Sequence, residues 1–588
     1  MCKKRLQAAL GGIALILMTM TSCTPATPQD GTPLATSVEP DRLSSAEPVT
    51  LTLSSTLQHT NADSPYPAWA EDSISRRIAD MTGVQLVLQL GNETESAHFE
   101  TGGMLEVMLS SGELSDLVFV RQQRDIDRLS DSAYSQPLDV LAAEHCPEFW
   151  DSLDPLEILN NQQEDGHVYA LPKGYYTQQV YDDPQIPIAV PRTLYLRRDL
   201  LQRLGREMPA SVEELESLLY QVKEQGQALG IQYPLRQLNA VSSPLAEWMG
   251  VKRFVYWDSE ARSVKTPLRQ DAWLPYFLRM NQWYRDGVLA LPDTEAPWRS
   301  GSGESLASVI DYFEETTAYS FATAADEILP AASSMYVLDE DPATPFAHAY
   351  VTVPLTYEGE VRLQAADTAI GGQGDQGALF ISTSCIQADR AICFMQYLKS
   401  QQGAQLTHWG LQDEHYTLDD EGFVTFAADY AYPQQMVDDM GFMSSVKKAG
   451  LDYWTLMDNS MVTGRLNASP TAYCTNPDLL EIRKMKIEAG IAYKAYAAQN
   501  KVPALYFAEP HEGDAGYDEY LALLDAWHHA AWEMVTAPSA QQVQARWAQL
   551  MQELSTAGLD AMESAMTARF ADALERYHAA GYFTSIQP

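Results

Sequence analysis

Apolar and polar residues alternate over 49–54 (VTLTLS), the period-two signature of a half-buried strand. The period then changes. Over 70–81 the apolar residues Ile74, Ile78 and Met81 recur at near-helical spacing, and Thr82-Gly83 stops the run. A second strand is expected over 84–88, a helix ending near Ser110-Ser111-Gly112, and a third strand over 116–120. A polar, aromatic-bearing loop, 58–69, separates the first strand from the first helix. Strands and helices alternating at this spacing predict βαβ units and a mostly parallel sheet, an α/β fold. The pattern returns with a strand over 193–196 and a short helix over 199–204 stopped by Gly205. A further helix opens at Pro209-Ala210-Ser211, where Ser211 and Glu214 are spaced as a capping box. From Asp452 onward the pattern is largely helical, with several amphipathic helices over 517–582.

Ahead of the first strand, Lys3, Lys4 and Arg5 precede an apolar run, 10–18, too short to span a bilayer comfortably. The run ends in Met20-Thr21-Ser22-Cys23, which resembles the bacterial lipobox with Met20 where Leu is commoner. That resemblance implies a lipoprotein signal peptide at 1–22 and lipidation of Cys23; the alternative is an ordinary signal peptide with an incidental cysteine. Two acyl chains suffice for stable anchoring where one is marginal. Residues 24–48 are rich in Pro, Thr, Ser and Ala and hold almost no bulky apolar residue, so they are expected to be a disordered tether. A coil of about 25 residues averages roughly 25–30 Å end to end. The expected location is the outer face of the cytoplasmic membrane.

The chain has 588 residues, which predicts two or more lobes rather than one core. Its net charge of −40 repels nucleic acid and favours solubility without naming a ligand. Beyond Cys23, Cys146, Cys385, Cys393 and Cys474 show no C-x-x-C spacing. They allow three pairings, and so few in so long a chain read as buried free thiols rather than a framework.

Several segments together carry a family resemblance. Met81-Thr82-Gly83-Val84-Gln85-Leu86 follows the first helix. Ser111-Gly112-Glu113-Leu114-Ser115-Asp116-Leu117 is like SGELPDL, with Ser115 in place of proline. Gln136-Pro137-Leu138-Asp139 comes next, then Asp165-Gly166-His167-Val168-Tyr169-Ala170-Leu171-Pro172, like DGKIYALP. Arg197-Arg198-Asp199-Leu200-Leu201, Leu204-Gly205 and 209–215 follow, then MNQWYRDGV at 280–288, and Trp409-Gly410-Leu411 with His415-Tyr416. In this order, from 49 to about 430, the chain resembles family 1 extracellular solute-binding proteins, especially the large lipoprotein branch of Gram-positive bacteria. The family's F-x-x-G-K-x-A stretch is degraded around 308–320, and 460–588 match only in being helical.

The resemblance implies a two-lobed, periplasmic-binding-protein-like (class II) fold with hinge crossovers and a helical C-terminal region. Lobe 1 is expected at 49–172 and about 366–425, lobe 2 at about 190–365 and 426–588, and the hinge at 173–189. It also implies an extracytoplasmic receptor that closes on a solute, with an oligosaccharide favoured, and delivers it to the permease subunits of an ABC importer. Such a receptor is expected to be a monomer without a cofactor. The residues agree: Asp165-Gly166 marks a hairpin-type turn, Pro172-Lys173-Gly174 breaks regular structure, and Pro184, Pro187 and Pro191 keep the next stretch extended.

A sugar offers hydroxyls at its edge and C–H groups on its face, so its site needs aromatic platforms flanked by planar polar groups. Four places qualify. One is the loop bearing His59, Asn61, Asp63, Tyr66 and Trp69, with Trp69 alternatively a packed anchor at the helix start. Another is Arg121, Gln122, Gln123 and Arg124, directly after the third strand. The third is Tyr175 and Tyr176 in the hinge, with Arg192 where the second lobe begins; the fourth is Tyr453 and Trp454. Trp409 is expected to be structural, Asp116 to bond backbone in a turn, and His528-His529 to be surface and packing residues. No Walker A, H-E-x-x-H, G-x-S-x-G or EF-hand loop is present. A peptide or amino-acid receptor is the nearer alternative. A lipid-anchored polysaccharide hydrolase needs only two suitably spaced carboxylates, and a scaffold or adhesin needs no small ligand.

Overall fold

The computed structural model describes residues 47–55, 69–88, 103–120, 123–188, 195–229, 231, 233–236, 240–241, 243–252, 255–291, 327–329, 350–352, 364–365, 377–427, 455–472, 477–510 and 514–586. The expected signal peptide, Cys23 and nearly all of the expected tether lie outside these residues.

The alternating stretch becomes strand β1 (Val49–Ser55). Asp72 caps helix α1 (Ser73–Thr82), its carboxylate accepting from Ser75 N–H at 2.7 Å, and Gly83 closes the helix at φ 66°. Strand β2 (Val84–Leu88) pairs parallel with β1, and after helix α2 (Gly103–Ser111) strand β3 (Leu117–Val120) pairs parallel with β1 on its other side. These are the βαβ units that the periodicity predicts. Strand β4 (Ala170–Pro172) does not join β3 directly. The late strand Ala378–Ile381 lies between them, antiparallel to both, so the order is β2, β1, β3, Ala378–Ile381, β4.

Both faces of this sheet are covered. Leu117, Phe119, Leu171, Leu379 and Ile381 join Ile74, Ile78, Leu138 and Phe394 on one side, while Val118, Val120, Ala170 and Phe380 join Leu105, Met108 and Ile126 on the other. A strand buried on two faces needs no alternation, which is why β3 reads as unbroken LVFV. Asp116 performs the backbone role expected of it: its carboxylate accepts from the Thr52 N–H and the Thr52 hydroxyl, each at 2.7 Å. Ser115, standing where the resembling pattern has proline, shares a 2.7 Å hydrogen bond with Ser54. The Trp409 turn is structural as expected. The His415 ring accepts from Leu411 N–H at 2.8 Å, and Trp409 and Tyr416 meet edge-on at 5.6 Å.

The first core reaches further along the chain than the boundary near 425 expected for it. Leu456 and Met457 lie in it, and Val462, Leu466 and Ala472 pack with Trp409, Tyr416, Val424 and Phe426 beside it.

The second core gathers residues 196–289 and 502–586. Ser211 caps helix Val212–Leu229 as predicted, accepting from Glu214 N–H at 3.1 Å; the Glu214 carboxylate returns to the Ala210 N–H rather than to that of Ser211. Strand Tyr233–Arg236 pairs parallel with Leu289–Ala290 and Glu327–Leu329. The C-terminal helices complete this core. Trp527 of helix Tyr517–Val535 meets Trp273 at 4.7 Å, Trp547 of Ala540–Thr556 lies 6.2 Å from Phe277, and Phe570 of Leu559–Ala579 lies 5.2 Å from Trp257. Glu563, buried on the last helix, accepts from Lys265 Nζ at 3.0 Å, from Arg269 Nε at 3.1 Å and from both the N–H and hydroxyl of Thr266 at 3.1 Å. A buried carboxylate needs such a full set of donors.

Candidate functional site: the carboxyl edge of the first sheet and the junction between the cores

Because β1, β2, β3 and β4 run the same way, their carboxyl ends at Ser55, Leu88, Val120 and Pro172 leave the sheet at one edge. The late strand runs oppositely, so its first residue Ala378 stands at that edge, opposite both Val120 and Pro172. Gly377 precedes it at φ 91°. A Cβ there would lie 2.6 Å from the Val120 carbonyl oxygen, so only glycine lets the chain enter between β3 and β4. In open α/β sheets, ligands bind beyond this edge.

The segment leaving β4 is held on three sides. Lys173 N–H donates to Gly377 O at 2.9 Å, Thr177 N–H to Ser460 Oγ at 3.2 Å, and Gln178 N–H to Asp154 Oδ2 at 2.7 Å. Tyr175 is buried, and burial together with the charges of Asp154 and Glu157 pushes its hydroxyl above the usual range. Tyr176 is half-buried against a small cluster of Val180, Ile186, Ile188 and Tyr493. Lys494, on helix Pro477–Asn500, points into the bend and donates to the carbonyls of Val180 (2.9 Å), Ile186 (2.5 Å) and Asp183. Burial lowers its pKa. On the same helix a Cβ at Gly490 would lie 2.7 Å from the Ile188 carbonyl oxygen, so helix and segment touch backbone to backbone.

Helix Pro155–Asn161 joins the two cores. Asp154 caps it and Pro155 opens it. Ile158 packs on the first core and Leu156 and Leu159 on the second. Glu157 is fully buried and accepts from Lys399 Nζ at 2.6 Å; burial, only partly opposed by Lys399, raises its pKa. Lys399 Nζ also donates to Asp458 O at 3.5 Å. The Asp458 carboxylate pairs with His408 Nε2 at 3.0 Å and accepts from the Thr463 hydroxyl at 2.5 Å. Although burial opposes its ionisation, His408, Thr463 and the charge of Lys173 hold Asp458 below the usual carboxylate range. From the second core, Tyr577 donates to Asn160 Oδ1, and Arg576 donates to Gln162 O at 3.0 Å while its guanidinium sits 5.0 Å over the Phe507 ring.

The expected site residues fall unevenly on this frame. Tyr175 and Tyr176 come together at the junction. Trp69 stands at the start of α1 with its ring edge-on to Phe394 at 6.2 Å, packed on the first core. Arg124 pairs with neighbouring Asp125 at 3.3 Å. Tyr66, Arg121, Gln122, Arg192, Tyr453 and Trp454, with His59, Asn61 and Asp63, lie outside the described residues. Sequence reasoning missed Asn160, Glu157, Lys399 and Lys494. The Asp154-Pro155 pair was a readable helix start, but nothing local marks the cations that meet it. Among the described residues no group of His, Cys, Asp and Glu is arranged to hold a metal ion, and no helix is long and apolar enough to cross a membrane. What the arrangement offers is a braced joint beneath an open sheet edge.

No protein-family model matches the chain, and no curated protein matches it in sequence. Solved structures share its fold. The extracellular solute-binding protein from Bifidobacterium longum subsp. infantis superposes with a TM-score of 0.59 at 12% identity, over 90% of this chain and 99% of that one. The S. pneumoniae ABC-transporter substrate-binding protein FusA in complex with kestose gives 0.57 at 14% identity, over 90% and 100%. The N-glycan transport solute-binding protein NgtS from Streptococcus pneumoniae gives 0.53 at 15%, over 90% and 99%. The chain therefore has the two-lobed, periplasmic-binding-protein-like α/β fold that the sequence predicted.

Proposed function

We propose that this chain is an extracytoplasmic solute receptor that captures an oligosaccharide between its two lobes and delivers it to the permease subunits of an ABC importer. The observation that carries the reading is the fold: over 90% of its length it is the architecture of a substrate-binding protein solved in complex with kestose and of an N-glycan transport solute-binding protein. The ligand sits beyond the carboxyl edge of the first sheet. The loops after β1 and β3 supply Tyr66, Trp69, Arg121 and Gln122, Tyr175 and Tyr176 act from the hinge, and Arg192 and Trp454 complete the set of ligand contacts. The ligand stacks on one lobe, the joint bends, and the second lobe completes the hydrogen bonds. Cys23 carries the lipid that holds the receptor at the outer face of the membrane.

A thermal-shift screen of oligosaccharides and peptides tests this. A ligand at 100 times its Kd adds about 2.7 kcal/mol to stability, so a true ligand raises Tm clearly. Stabilisation by peptides alone would overturn the sugar assignment, and release of reducing ends would turn the reading toward a hydrolase. A Cys23→Ala variant should leave the membrane fraction; if it stays, the anchor is elsewhere.

A further inference from the structure

The segment leaving β4 bends over 180–186, and its sequence takes away two of its own hydrogen bonds. A helical turn continuing from Gln178–Asp182 would satisfy the Val180 carbonyl from the N–H of residue 184, and the Asp183 carbonyl from that of residue 187. Both positions are proline, which has no N–H. Asp183 O keeps a long bond from Ile186 N–H at 3.4 Å. The bend therefore needs donors from elsewhere. Lys494 brings them from helix Pro477–Asn500, and at 4% exposure it is a buried cation. An ammonium has three N–H donors and no acceptor. Here three carbonyls receive them: Val180 O at 2.9 Å, Ile186 O at 2.5 Å, and Asp183 O. The neighbouring carboxylates accept from other groups, Asp182 from Gln178 Nε2 and Asp183 from Gln185 N–H, each at 2.9 Å. Their charges favour the ammonium form of Lys494, against the burial that opposes it.

We propose that 180–186 is a carbonyl cage selective for a primary ammonium, that Lys494 occupies it as a tethered ligand, and that this occupancy pins helix Pro477–Asn500 to the segment leaving β4. Three carbonyls on one nitrogen equal its donors in number. A cation without N–H groups brings the same charge but leaves every carbonyl without a hydrogen bond. The pin crosses between bodies. On one side the bend is held by helix Ser460–Ala468, through the bond from Thr177 N–H to Ser460 Oγ and at Gly464, where a Cβ would lie 2.5 Å from Ile186 Cγ2. That helix packs Val462 and Leu466 with Trp409 and Phe426 beside the first core. On the other side, helix Pro477–Asn500 packs Met485 against the second core. Lys494 thus ties the cores at a second point, apart from helix Pro155–Asn161.

The test removes the tether from the full chain and offers its missing part back. Lys494→Ala deletes Cγ, Cδ, Cε and Nζ, the portion that n-propylammonium replaces. The variant should melt several degrees below the wild type. Its amides over 177–188 should exchange hydrogen at least about tenfold faster, because the bend opens locally. n-Propylammonium chloride should restore most of both losses, and tetramethylammonium chloride at the same concentration should restore neither. Lys494→Met fills the stem without donors, so it should also melt lower and respond to neither salt. Rescue of Lys494→Ala by both cations alike, or by neither, would overturn the proposal. So would a Lys494→Met variant with the Tm and exchange of the wild type. If Lys494→Ala does not fold, reductive methylation of the native wild type decides. Exposed Lys223 should be labelled and Lys494 spared until the chain is denatured; labelling of Lys494 in the native chain would refute the caged ammonium. None of these readouts uses a transported solute, so a failed oligosaccharide screen would leave them standing.

Discussion

Tyr577, on the last helix of the second core, donates its hydroxyl to Asn160 Oδ1 on the helix that leaves the first core, and both residues are buried. It is a polar contact across the joint, beside the bond from Arg576 to Gln162 O. Tyr577→Phe removes the donor and leaves a buried acceptor without it. Unsatisfied buried groups cost about 1–3 kcal/mol, so urea unfolding should show a loss of that size. An unchanged midpoint would mean that the bond contributes nothing to holding the cores together.

Glu157 and Lys399 predict an asymmetric pair of variants. Lys399→Met leaves a buried carboxylate uncompensated, and breaking such a pair costs about 3–5 kcal/mol. Glu157→Gln leaves a cation that still donates to the Asp458 carbonyl and is not fully buried. It should therefore cost clearly less. Equal losses in denaturant titrations would show that the carboxylate is less isolated than its surroundings indicate.

His528 sets an acid-side slope. Its Nε2 is buried beside Trp527, and burial pushes its pKa down to about 3. In the unfolded chain it protonates near pH 6.5. Between about pH 6.5 and 3 the unfolded state therefore binds the extra proton, and stability falls as pH falls through that window. A His528→Leu variant should show a shallower decline of unfolding free energy from pH 6.5 downward than the wild type. Parallel curves would place this proton elsewhere.

Tyr176→Ala addresses the proposed binding site. Its ring rests on the Val180 and Tyr493 cluster, so some stability is lost along with any ligand contact. Affinity for an oligosaccharide found by screening should fall at least about tenfold, equivalent to about 1.4 kcal/mol. A folded variant with wild-type affinity in calorimetry would remove Tyr176 from the site and leave it a packing residue.

The first sheet was legible where its order is local. The period of two in VTLTLS, the helical spacing of Ile74 and Ile78, and the stop at Gly83 each act within a turn or a strand, and β1, α1 and β2 followed. Ser211 and Glu214 were legible for the same reason. What depends on distant pairing was not. Nothing in Ala170-Leu171-Pro172 announces that its partner is Ala378–Ile381. Glu157, His408 and Lys399 each sit on helices that could have left them in water; only pairing between segments far apart in the chain, Glu157 with Lys399 and His408 with Asp458, buries them. Of the proposed contacts, Trp69 shows how one residue carries two readings: an aromatic at a helix start offers its face equally to a sugar or to Phe394.

The place of the late strand sets a timetable for folding. As the chain is made, β1, β2 and β3 can associate early, but β3 then presents an open edge of Leu117, Val118, Phe119 and Val120, and β4 has no neighbour to bond. Both gaps close only when Ala378–Ile381 arrives, after the intervening second-core residues have been synthesised. An apolar strand edge left waiting that long is a template for association with other chains. Any truncation that ends before Ile381 should therefore aggregate rather than yield a free-standing first lobe.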